Sequence, residues 1–302
     1  MALIWRDFIN RPHISNLEMN EQLRLYNIEN KRLIDQRRQR EFLIKERETS
    51  EMYSVTSAVA SSGAAGDIGP VDSFTNTYSM AFDGVDDYID CGQSSAILTA
   101  TFTVSCWVNV SAFGSWDTII GCDRYSPSSG WKLWYDGANI KFSHGGVGST
   151  EFAVSGNMVT GTWYQLIVVC DGAGNSAIFL DGVSKGTGFM TMTYSALIRF
   201  IIGARNANGG GLPATDSFNG KIDEVAIWNT DQTANIAEIY GGGSPVDLNN
   251  LTTAPAPTAW WRMGDDASWN GSDWTLTDQG SGGNNGTSDS MGEEDRVEEV
   301  PL

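Results

Sequence analysis

The chain has 302 residues, 41% hydrophobic and 11% aromatic, which is ample for a packed core and excludes an intrinsically disordered protein. Its formal net charge is -18, and residues 54–302 carry 28 Asp/Glu against 9 Lys/Arg, so that body repels a phosphate backbone and nucleic acid is excluded as its partner. No run of about 18 apolar residues exists, so no membrane span is expected.

Residues 1–14 read as an anchoring arm. Trp5, Phe8 and Ile9 are large apolar groups outside any domain pattern, and such groups are expected to dock on a partner. The charges there follow the apolar residues, so no cleaved secretory signal is read. From Leu17 to Tyr53 there is no Gly or Pro, and Glu, Gln, Leu, Arg and Lys dominate. With Ser15 or Asn16 as N-cap, this predicts one long helix over 15–53. Leu23, Tyr26, Leu33 and Phe42 mark its apolar stripe, which the polar stretch Asp35–Arg40 interrupts. A dry two-stranded coiled coil needs a sustained stripe. The pattern suits a helix laid on a partner surface or a loose homo-oligomeric bundle, with packing on its own domain as the alternative. Residues 54–74 contain Ala-Ser-Ser-Gly-Ala-Ala-Gly and read as a flexible linker.

Residues 75–246 read as a mainly β, antiparallel sandwich: short apolar runs separated by Gly, Asn, Asp and Ser clusters. Phe102–Val110 alternates as a half-buried strand. Trp131–Tyr135 and Ile140–Phe142 flank Asp136-Gly137, and Ala177–Leu180 precedes Asp181-Gly182; both predict hairpins. Trp163–Cys170 is apolar enough to be central, and Leu197–Gly203 reads as a further strand. Thr233–Tyr240 predicts a short helix stopped by Gly241-Gly-Gly. Residues 247–302 form a C-terminal extension with an acidic tail. Its expected place is on the sandwich's own edge, with a strand lent to a neighbouring subunit, a permuted strand or the stub of a second module as alternatives.

Five segments occur in one order: Phe82-Asp-Gly-Val-Asp-Asp-Tyr-Ile, Phe102-Thr-Val-Ser-Cys-Trp-Val, Gly161-Thr-Trp-Tyr, Phe179-Leu-Asp-Gly-Val and Phe218-Asn-Gly-Lys-Ile-Asp-Glu-Val-Ala-Ile-Trp. They resemble the laminin G-like domain of the concanavalin A-like lectin/glucanase jelly rolls. The resemblance implies a jelly-roll sandwich serving adhesion, sugar binding, catalysis or plain structure. Trp260-Trp-Arg, Trp274-Thr-Leu-Thr-Asp-Gln and Asn284-Asn-Gly-Thr resemble a strand segment that family members carry before the Phe-Asp-Gly motif; here it follows the domain.

Glucanase relatives place acids as Glu-x-Asp-x-x-Glu along one strand, but Lys221-Ile-Asp-Glu-Val-Ala lacks both flanking Glu. Only His13 and His144 are available for a hydrolytic triad, without a nucleophile motif, so no enzyme is expected. Cys91, Cys106, Cys122 and Cys170 lack zinc-site spacing. Cys106 and Cys170 read as small buried hydrophobes, with a sandwich-spanning disulfide as the alternative. Calcium is the candidate cofactor, at Asp83, Asp86, Asp87 and Asp223, with backbone-capping in Asp-Gly turns as the other reading. Candidate glycan-binding residues are Trp116, Tyr125, Trp131, Asn206 and Asn208. A helix, a flexible joint and a β domain together resemble the layout of bacteriophage virion appendage, fibre or decoration proteins. That layout implies partners bound through residues 1–53, a homo-oligomer, and display on a virion surface toward a cell-surface glycan. The alternative is a soluble, extracellular, calcium-dependent oligomeric lectin.

Overall fold

The turn residues between the apolar runs divide the chain into strands of two to ten residues. The computed structural model of the protein describes residues 74–123, 129–144, 150–194, 198–205 and 216–302. The expected arm, long helix and linker, with Trp5, Phe8, Ile9, Leu23, Tyr26, Leu33 and Phe42, lie outside the described residues, as do Tyr125, Asn206 and Asn208. In chain order come β1 (Ser79–Asp83), β2 (Tyr88–Asp90), β3 (Thr101–Val110), β4 (Asp117–Gly121), β5 (Trp131–Tyr135) and β6 (Asn139–His144). Then follow β7 (Thr150–Ser155), β8 (Trp163–Asp171), β9 (Asn175–Leu180), β10 (Val183–Phe189), β11 (Ile201–Ile202) and β12 (Asn219–Trp228). After helix α1 (Ile236–Tyr240) come β13 (Ala259–Trp261), β14 (Ala267–Trp269), β15 (Trp274–Leu276), β16 (Gly286–Asp289) and β17 (Arg296–Val297).

They form two antiparallel sheets. One runs β10-β9-β8-β3-β12-β1-β17, with β13 also on β12; the other runs β14-β15-β16-β2-β11-β4-β5-β6-β7. The C-terminal residues therefore join both sheets. β16 pairs with β2, β17 pairs with β1, and β13 follows β1 along the same side of β12.

The core between the sheets is aromatic. Phe102 stacks on Trp131 with ring centroids 4.9 Å apart, and Phe200 stacks on Trp261 at 5.4 Å. All four cysteines are buried free thiols. A second apolar cluster covers the outer face of the first sheet, where Ile236 and Ile239 of α1 pack with Val169, Trp228, Leu248 and Trp260. This corrects the half-buried reading of Phe102–Val110: from Phe102 to Val110 every residue of β3 is buried, because α1 and its flanking loops roof the outer side. Trp107 stacks on Tyr240 at 6.0 Å, and Thr103 donates to the Thr230 carbonyl at 3.0 Å. The helix stops where expected: Gly241 takes φ 64°, open to glycine without steric cost, and donates to the Glu238 carbonyl. Of the strand expected over Leu197–Gly203, the described residues form β11 at Ile201–Ile202, with the Phe200 N–H bonded to the Gly92 carbonyl and the Gly203 N–H to the Ile119 carbonyl on either side.

Where the sheets meet at one side, β10 lies against β7. A Cβ on Gly188 would fall 2.4 Å from Phe152 side-chain atoms, so only glycine permits the approach.

Candidate functional site

Strand alternation builds the most developed polar site. In Trp131-Lys-Leu-Trp-Tyr, the side chains of Trp131, Leu133 and Tyr135 belong to the core, so Lys132 and Trp134 project from the outer face. β6 matches them across the hairpin, with Ser143 opposite Lys132 and Lys141 opposite Trp134. Trp116, in the turn before β4, lays its indole on Trp134 with centroids 4.9 Å apart and planes 14° from parallel. Trp134 beneath is 1% exposed and donates its indole N–H to Ser143; Trp116 above is 55% exposed.

Cations flank the stack. Lys132 Nζ lies 5.4 Å from the Trp116 centroid and 4.7 Å from that of Trp134, and Lys141 Nζ lies 4.5 Å from Trp134. The negative face of each indole attracts them. Every cation also meets carboxylates. Lys141 sits 3.1 Å from both Asp136 and Glu151, Arg205 is 2.7 Å from Asp123 and 3.3 Å from Asp216, and Lys132 is 3.8 Å from Asp216. Burial pulls the Lys132 ammonium below its ordinary range, and the Arg205 charge adds to this. Burial pushes the Asp123 carboxyl up to about 6, against the pull of Arg205 and Lys132. Lys132 Nζ and Asp123 Oδ1 are buried without a hydrogen-bond partner.

Of the expected glycan residues, Trp116 stands in this site and Trp131 does not. Trp131 is 0% exposed, wedged against Phe102, Phe142 and Phe200. The reason is phase: since Lys132 projects from the outer face of the sheet, its neighbour must point into the core. The same phase would have pointed to Trp134 and Lys132, and the Ile-Lys-Phe of β6 to Lys141; sequence reasoning passed over all three. Asp123, Arg205 and Asp216 carry no local signal, since the fold brings them together from separate loops.

A second group lies on the β1–β2 turn. Carboxylate oxygens of Asp83, Asp86 and Asp87 lie within 4.8 Å of one another. Asp83 accepts from the Val85 N–H at 2.7 Å, and Asp87 accepts from the Asp83 N–H at 2.8 Å. Burial, then the charges of Asp83, Asp295 and Asp86, push the Asp87 carboxyl up to about 7 despite that bond. Three converging carboxylates fit part of the shell a calcium ion takes, about six to eight oxygens.

Asp223 does not join them, which corrects the expected four-acid set. Asp83 pairs with Asn219, so Asp223 lies four residues further along β12, fully buried. It accepts from the Asn76 amide at 2.8 Å and from the Glu224 N–H at 2.9 Å. Glu224 occupies the bulge between β1 and β13 with φ 48°, and accepts from the Trp260 indole at 2.6 Å and from Arg262 at 3.2 Å. This acid pair ties the incoming chain to the C-terminal return and is closed to a sugar substrate.

A family model described as the concanavalin A-like lectin/glucanases superfamily matches residues 83–239. Among curated proteins none matches. Among solved structures, a Bacteroides ovatus ATCC 8483 protein assigned as carbohydrate binding is 17% identical with a TM-score of 0.56, over 76% of this chain. The chain spans 62% of that protein's length. The native heptameric SAP-like pentraxin of Limulus polyphemus is 14% identical with a TM-score of 0.47, over 67% of this chain and 93% of its own. The Ruminococcus gnavus IT-sialidase CBM40 bound to alpha2,3 sialyllactose is 9% identical with a TM-score of 0.43, over 53% of this chain and 96% of its own. At these identities the likeness is one of fold. The family match covers more than half of the chain, and the chain belongs to the concanavalin A-like lectin/glucanases superfamily.

Proposed function

We propose that this protein is a non-catalytic, lectin-like carbohydrate-binding protein acting at an extracellular or otherwise exposed surface, with Trp116 as its sugar platform. The observation that carries this reading is the exposed indole held flat on a buried one between two lysines. A pyranose presents C–H bonds on one face, and these match the negative face of an indole. Preorganisation removes the cost of ordering the ring on binding. The superfamily includes both lectins and glucanases. The acids of the Lys221–Ala226 run favour the former, since Asp223 and Glu224 are committed to internal hydrogen bonds. The test is glycan binding by the wild type and by Trp116→Ala: equal affinity sinks the platform reading.

The finer reading adds attachment. Residues 1–53 anchor the chain in a larger homo-oligomeric assembly, a virion surface, and the sandwich is displayed toward host glycans. Support comes from the Gly- and Pro-free charged segment and the small-residue linker behind it. Deleting residues 1–60 should abolish incorporation and leave sugar affinity intact.

The second reading, a calcium-dependent soluble lectin, is favoured by the convergence of Asp83, Asp86 and Asp87. Those three residues would hold the ion, and its charge would relieve their mutual repulsion.

A further inference from the structure

Resting on the reading that the Trp116 platform binds carbohydrate, we infer that its ligand is an uncharged glycan and that glycans bearing carboxylate or sulfate are rejected. Among the described residues, Lys132 and Lys141 lie against the indole pair and belong to an ion-paired group of three cations and four acids: Lys132, Lys141 and Arg205 with Asp123, Asp136, Glu151 and Asp216. Lys141 is held between two acids, and so is Arg205; Lys132 is buried against the rings. Binding an anionic sugar would mean breaking one of these ion pairs. Among the described residues these ion-paired groups sum to one negative charge, and the molecule has a net charge of -18, so approach of an anion is also opposed at long range.

An uncharged pyranose meets none of these penalties. Its C–H face lies on Trp116, and its hydroxyls donate to the partly exposed carboxylates of Glu151 and Asp216, whose side chains are 35% and 27% exposed. Each of those acids is held by a cation through one oxygen, which fixes its orientation for hydroxyl donors. Lys132 is a positioning residue. Its Nζ, without a hydrogen-bond partner, spends its charge on both indoles and holds Trp116 parallel to Trp134.

The experiment is a printed array of neutral and acidic glycans, probed at physiological salt with the full chain and with Trp116→Ala, Lys132→Met and Glu151→Arg. Expected are binding of the wild type to neutral glycans only and a loss of about tenfold or more in Trp116→Ala. Glu151→Arg should admit acidic glycans. Lys132→Met should weaken binding and lose the coupled-indole band in near-ultraviolet circular dichroism, a signature that loss of fold stability alone would not give at unchanged far-ultraviolet signal. Wild-type binding to acidic glycans that Trp116→Ala removes overturns the inference and leaves the carbohydrate reading in place. Binding to neither class, or binding that survives Trp116→Ala, overturns both.

Discussion

Trp116 and Trp131 look alike in the sequence, two tryptophans bordering loops, yet the structure gives them opposite work. Trp131 fills the middle of the core against three phenylalanines. Trp131→Ala should therefore cost about 3–5 kcal/mol, the range for emptying a buried aromatic site, and urea unfolding would read it directly. Trp116→Ala removes a ring that is 55% exposed and should leave stability within about 0.5 kcal/mol, as expected of a surface change. If Trp116→Ala instead unfolds the domain, the ring is structural and the platform reading loses its control.

At the scale of elements, two joints decide whether the sandwich holds together. The first is the Gly188 approach of β10 to β7. Gly188→Val should cost about 1–3 kcal/mol through overpacking against Phe152, seen as a lowered Tm, and free two strand edges for association. The second is the Asp223–Glu224 bulge, where Glu224 pairs with the Arg262 guanidinium and its buried neighbour Asp223 is held by the Asn76 amide. Burial, opposed by Arg262, pushes the Glu224 carboxyl up to about 7, and burial with the Glu224 charge pushes Asp223 up too. Folded-state values above the unfolded ones mean that the native state binds more protons. For Glu224 that stabilisation is complete below about pH 4.5 and is lost as pH rises through about 7; Asp223 acts in the same direction. Asp87, raised to about 7 mainly by burial, acts in the same direction. Asp136 is held at about 2: burial, which would raise it, is outweighed by hydrogen bonds from Asn139, Lys141 and Ala138, and it is ionised throughout this window. Tm should therefore fall between about pH 5 and pH 8, and Asp223→Asn should flatten the slope. A rising Tm over that interval would contradict the assignment of protonated acids to the bulge.

At the scale of the whole molecule, the expected stem and the calcium reading make separate forecasts. The full chain should run as a trimer or larger in solution, and a chain starting at Ser73 as a folded monomer, measured by light scattering. Two monomers would remove self-assembly through residues 15–53. Calcium should raise Tm by a few degrees through preferential binding to the folded state, and Asp86→Asn should abolish the rise. No change with calcium would leave the Asp83–Asp87 turn as a capping arrangement.

The sandwich was legible in the sequence, because period-two alternation, Asp-Gly turns and five ordered motifs are all local signals. The short helix and its Gly241 stop were legible for the same reason. The faces were not. Alternation shows that Lys132 and Trp131 point opposite ways, but which loops bring Asp123, Arg205 and Asp216 beside Lys132 depends on chain segments up to about 90 residues apart. Nor could local pattern tell a half-buried β3 from one roofed by α1, or part Asp223 from Asp83, which lie on neighbouring strands of the same sheet. Sequence fixes what each residue prefers; only closure of the two sheets decides which preferences meet.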